Sequence, residues 1–134
     1  MNWLKITLSG IAGSAVYFLL GWVAYDLLFK SFFPDDGQVN LLYIYFGCLF
    51  YTLMLAFILI EWAKITSWNA ALIGGGFIGF MTALSMNFFN YSHKVLDVSK
   101  ISLNVAITTC MSAIVGISIV CLFNCCLSKC CTKA

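Results

Sequence analysis

Four long uncharged stretches make up most of the chain, and the charged residues lie between these stretches or near the two ends. A helix needs about 20 apolar residues to cross a hydrocarbon core about 30 Å thick. Each stretch is long enough, which predicts transmembrane helices at 6–25, 41–60, 70–89 and 101–122. The runs are continuously apolar, whereas the strands of a membrane barrel alternate apolar and polar residues. The sequence therefore predicts an all-α fold, an integral membrane four-helix bundle formed by a single domain.

Polar residues precede three of the predicted helices, where a side-chain oxygen can accept a hydrogen bond from a free backbone N–H. The expected N-caps are Asn40, either Ser67 or Asn69, and Ser99. These positions support the predicted boundaries to within a few residues.

The composition agrees with a membrane protein, since 63% of the residues are hydrophobic and 9% are charged. Soluble domains have about a quarter of their residues charged. The chain contains no arginine and has a net charge of +2, so it lacks the basic patch that nucleic-acid binding requires. The predicted partners are the lipid bilayer and either a second copy of the chain or another membrane protein.

Lysines give a weak indication of orientation, because loops on the cytoplasmic side carry more of them. Four spans place both termini on one side, and lysines occur there at positions 5, 64, 129 and 133. The other side has lysines at positions 30, 94 and 100. This balance predicts a multi-pass protein of the inner or plasma membrane with both termini in the cytoplasm.

Small and polar residues recur every four positions in the third and fourth spans. The third span has Ala71, Gly75, Gly79, Ala83 and Asn87, and the fourth has Asn104, Thr108, Ser112 and Gly116. Small residues let membrane helices approach closely, and polar ones hydrogen-bond across the contact. We expect the two rows to face each other, and we expect the bulky, aromatic second span to be the most lipid-facing. The alternative is a polar track for a solute or ion between these two helices.

Charged residues near the predicted helix ends favour interfacial ion pairs over catalysis. Asp26 precedes Lys30 by four residues, and similar short spacings join Glu61 to Lys64 and Asp97 to Lys94 and Lys100. No charged residue falls inside any predicted span, whereas a proton or ion route usually has at least one acid or base there. His93 is the only histidine, so no second histidine completes a common metal or catalytic set, and no common catalytic motif is present. We therefore predict a structural or accessory role, without catalysis and without a cofactor.

A cysteine-rich segment, 123–134 with the preceding turn, is predicted as a cytoplasmic tail. Its thiols are at Cys121, Cys125, Cys126, Cys130 and Cys131. Thiolates bind soft metals such as Zn²⁺ or Cu⁺, and cysteines next to a membrane are also acylation sites. A metal- or redox-responsive role is thus a further alternative to a tail with no defined chemistry.

The order of these features resembles a family of small bacterial four-helix integral membrane proteins of unknown function. The similar parts are Tyr25, Leu28 and Phe29 at the end of the first helix, the glycine-rich "GGGFIGF", and Asn90 with Tyr91. The chain departs from the family at Asp26 and Leu27, where the family has Gly-Pro, and in its cysteine tail. The resemblance implies a four-helix fold and a membrane location, and it implies no activity or site residues.

Overall fold

The computed structural model describes residues 3–32, 37 and 40–131, with side chains described as far as Cys125. The described residues form four helices: α1 (Trp3–Trp22, continued by a π-helical segment, Val23–Leu28), α2 (Leu41–Phe57, continued by a π-helical segment, Ile58–Trp62), α3 (Trp68–Asn90, followed by the 3₁₀ turn Tyr91–His93) and α4 (Val98–Cys131). Each is long and apolar enough to cross a membrane. Helix is the only regular structure among the described residues, which confirms the all-α prediction for this part of the chain.

The four predicted spans lie within the observed helices, and the largest difference is at the end of α4. We predicted that this span ends at residue 122, but the helix continues through Cys131. No glycine or proline follows Gly116 in the sequence, so nothing in the backbone chemistry interrupts the helix there. Most of the predicted tail therefore extends α4, and residues 132–134 lie outside the described part.

Two of the three expected N-caps are present. The Asn40 side chain accepts a hydrogen bond from the Leu42 amide at 3.1 Å, and the Ser67 hydroxyl accepts one from the Ala70 amide at 3.4 Å. The prediction of Ser99 as the third cap was wrong. Asp97 Oδ1 accepts from the Lys100 amide at 3.3 Å instead, because α4 begins at Val98, two residues before the start that a cap at Ser99 would give.

Of the expected ion pairs, only that between Asp97 and Lys100 occurs among the described residues, at 3.9 Å. It is nearly half exposed, so its contribution to stability is small. The expected pairs at Asp26 and Glu61 are absent for a geometric reason. The π-helical segment after α1 ends at Leu28, and the one after α2 ends at Trp62. Lys30 and Lys64 therefore lie beyond the helical turns that would place them beside Asp26 and Glu61.

Helices that follow one another in the chain are antiparallel, and α4 is the central helix. It contacts α1, α2 and α3, and its contact with α3 is the most extensive in the structure. α1 packs against α2 at Gly10 and against α4 at Gly13, where an added Cβ would lie 2.8 Å from Leu53 and Ile119 respectively. We call the end with Trp3 and Cys125 the terminal end, and the end with Asp26 and Asp97 the distal end.

The second helix is not the most exposed, contrary to our prediction. In the most apolar 18-residue window of each helix, the buried share is 22% for α3, 28% for α1 and for α2, and 39% for α4. The bulky residues of α2 include Leu55 and Leu59, which are at most 1% exposed because they pack against α4 and α1. Large side chains thus form the core here, whereas α3 contacts α4 through a narrow strip of small residues.

Candidate functional site

The polar residues of α4 form hydrogen bonds to each of the other three helices. We define the polar cluster as Asn104, Thr108 and Ser112 of α4 with their partners Tyr25, Tyr51 and Asn87. Because the α4 residues recur every four positions, they lie on one face of the helix. That face is directed toward the centre of the bundle.

The cluster begins near the distal end with an asparagine pair. Asn104 Nδ2 donates to Asn87 Oδ1 at 3.1 Å, and Asn87 Nδ2 donates to the carbonyl of Ala83 at 2.7 Å. The hydroxyl of Tyr25 donates to Asn104 Oδ1 and lies 3.4 Å from Thr108 Oγ1. Asn87 is only 3% exposed, and these bonds satisfy its amide.

The cluster ends near the middle of the helices at Ser112, which is fully buried. The hydroxyls of Ser112 and Tyr51 are 2.9 Å apart, which links α4 to α2. The Tyr51 ring packs against that of Tyr17 on α1, with centroids 5.1 Å apart. Side chains of α1 and α2 therefore meet beside one buried serine of α4.

Glycines bring α3 and α4 close enough for these bonds. A Cβ added at Gly75 would lie 2.7 Å from the Ser112 carbonyl oxygen and 3.2 Å from the Gly116 Cα. At Gly79 it would lie 2.4 Å from the Ser112 Cβ. Real Cβ atoms do not approach other atoms so closely, so any larger residue requires the helices to separate. The rows of small residues from the two helices face each other at this contact.

The terminal half of the bundle is apolar. Five side chains fill the space between the helices there and are at most 1% exposed: Leu55, Leu59, Val115, Ile119 and Val120. Other buried hydroxyls bond to carbonyls of their own helix, as Ser14 does to Ile11 at 2.7 Å. Among the described side chains, no buried polar atom lacks a hydrogen bond. The polar cluster therefore stops at mid-depth against an apolar core.

A cavity of about 490 Å³ lies between α1 and α2 at the distal end, beside the polar cluster. Asp26 is half-buried and contributes to its lining together with Tyr25 and Trp22. Sequence reasoning placed Asp26 at the end of the first helix but did not predict the cavity. Its walls come from α1, α2 and Met111 of α4, so no local pattern could have indicated it.

The structure describes the cysteines of the predicted tail only in part. Cys121 and Cys125 are exposed, and they lie one turn apart on the continued helix. The side chains of Cys126, Cys130 and Cys131 lie outside the described residues. Within the part that the structure describes, no three metal-ligating side chains come together.

Comparisons with family models, with curated proteins and with solved structures gave no match for this chain. The resemblance to the bacterial four-helix family therefore stays a prediction. Any function must be argued from the geometry of the chain itself.

Proposed function

We propose that the protein is a multi-pass protein of the cell membrane with both termini in the cytoplasm. Four helices of sufficient length and apolarity support this proposal. Tryptophans near the helix ends also support it, because their rings favour the membrane interface. Trp3, Trp22, Trp62 and Trp68 are each at least half exposed. The small excess of lysines on the side of the termini favours the orientation.

Within that membrane, the protein has a structural or accessory role without catalysis. The observation that carries this proposal is the extent of the polar cluster. Its atoms are engaged in bonds between helices, and the cluster ends at Ser112 against an apolar core. Since interhelical hydrogen bonds stabilise membrane bundles, the cluster serves to hold α1, α2 and α3 on α4. The partners of such a protein are the bilayer and a second copy or another membrane protein.

The competing role is a small transporter or channel component with a polar track between α3 and α4. Such a track needs polar groups or water along its whole length, because an ion in hydrocarbon is strongly disfavoured. The glycine contact of Gly75 and Gly116 leaves no space between these two helices at mid-depth. The geometry therefore favours the structural role.

Flux measurements in proteoliposomes test this choice. We expect the fluxes of K⁺, Na⁺, protons and glycerol to equal those of liposomes that contain an inert membrane protein. The variants Asn104→Leu and Asn87→Leu should leave all four fluxes unchanged. Asn90→Leu is the control, because Asn90 is exposed on the same helix as Asn87, and it should also leave them unchanged. A wild-type flux that disappears in Asn104→Leu and persists in Asn90→Leu would show that the track is real.

A further inference from the structure

We propose that the cavity between α1 and α2 binds an organic ammonium group carried on an apolar body. This binding function goes beyond the structural role and does not depend on it. It follows from one carboxylate, its aromatic neighbours and the shape of the cavity. Each of these is an observation on described residues.

The carboxylate of Asp26 is the first reason. It is half-buried in the cavity lining, and among the described residues it has neither an ion pair nor a hydrogen bond. Lys30, the nearest cation in sequence, lies in the turn after the helix and does not pair with it. Because apolar walls screen charge less than water does, the attraction between this carboxylate and a cation in the cavity is stronger than the same attraction in bulk water.

The aromatic walls are the second reason. Tyr17, Phe18, Trp22 and Tyr25 line the same cavity. The faces of aromatic rings attract organic cations, and tryptophan does so most strongly. A carboxylate among aromatic rings matches the charge and the apolar surface of a substituted ammonium. A small hydrated metal ion would gain little from such walls.

The size and position of the cavity also suit an organic ammonium. A volume of about 490 Å³ suits a small organic molecule or part of a lipid. Leu41, Ile44 and Met111 offer an apolar surface for the body of the ligand. The cavity is at the distal end, where Trp22 is half exposed and marks headgroup depth. The ammonium can therefore come from a lipid headgroup or from a free hydrophobic amine, and both present the same chemistry.

Calorimetric titration of the full chain in phosphatidylglycerol nanodiscs tests the site, with benzyltrimethylammonium as the probe. We expect Asp26→Asn to weaken binding about tenfold, or about 1.4 kcal/mol, because it removes the negative charge that attracts the quaternary ammonium, which has no N–H to donate. Glu61→Gln is the matched control, since it removes an equal charge at the terminal end, and it should bind as the wild type does. Neopentylbenzene, the uncharged isostere of the probe, should compete poorly.

A second variant keeps the test decisive if Asp26→Asn alters the fold. Ile44→Lys retains the carboxylate and places a fixed positive charge in the cavity lining, at a residue that is 44% exposed, so it should also weaken binding of the cationic probe. Wild-type affinity in both variants would overturn the proposal, as would equal competition by neopentylbenzene. Adding phosphatidylethanolamine then distinguishes the sources: competition indicates the lipid ammonium, and its absence indicates a free amine.

Discussion

Replacing Gly75 by alanine should lower the free energy of unfolding by about 1–3 kcal/mol, the usual cost of adding a methyl group to a filled contact. The new Cβ would lie 2.7 Å from the Ser112 carbonyl oxygen and 3.2 Å from the Gly116 Cα. Both are backbone atoms, so no side-chain rotation relieves the clash and α3 must move away from α4. Unfolding of the purified protein in mixed micelles by increasing dodecyl sulfate, followed by tryptophan fluorescence, measures the change.

Gly76→Ala is the matched control because the adjacent residue has the same chemistry and the same helical backbone. Its Cβ would meet the Ala113 Cβ at 3.6 Å, an ordinary van der Waals distance. Alanine is also favoured over glycine within a helix by about 1 kcal/mol. We therefore expect this variant to be as stable as the wild type or more stable. Equal losses at the two positions would contradict a close α3–α4 contact.

Replacing Asn104 by leucine should cost about 1–3 kcal/mol, because buried Asn87 then loses its partner on α4. Replacing Asn87 should cost a similar amount by depriving Asn104 Nδ2 of its acceptor. The double variant should lose less than the sum of the two, and the difference should be about 0.6–1.7 kcal/mol, as measured for hydrogen bonds between membrane helices. The same unfolding assay gives all four values of this double-mutant cycle.

Asn90→Leu serves as the control for the change in polarity. This residue is near the end of α3 and is exposed, so its replacement should alter stability by less than about 0.5 kcal/mol. Strict additivity of the Asn87 and Asn104 changes would mean that the two amides do not interact across the helices.

The positions of the helices follow from the sequence because membrane-length apolar runs are long and their ends are marked by polar residues. The row from Ala71 to Asn87 could likewise be recognised, since a spacing of four residues places side chains on one helix face. The burial of Ala71, Gly75, Gly79, Ala83 and Asn87 is seen in the structure along that face. Local periodicity contains this information whatever the arrangement of the other helices.

Features that depend on which helices are neighbours could not be obtained in this way. The bond between Ser112 and Tyr51 requires α2 to lie beside α4, and sequence spacing within one helix does not specify that. The cavity next to Asp26 likewise depends on which helices are neighbours, because its walls come from α1, α2 and α4. The expected pair of Asp26 with Lys30 was wrong because the pattern of charges did not reveal where α1 ends.

The central claim is that the polar cluster ends at mid-depth and that an apolar core closes the terminal half of the bundle. Cysteine scanning along α4, in a chain whose native cysteines are replaced by serine, tests this claim most directly. Thr66 and Lys94, which lie in the connections outside α4, give the controls. A cysteine in place of either should react with a membrane-impermeant maleimide from one side only, and the one at Thr66 should react from the cytoplasmic side. Cysteines at Val115 and Ile119 should stay unlabelled from both sides, whereas labelling that continues from Asn104 through Ser112 to Ile119 would contradict the account.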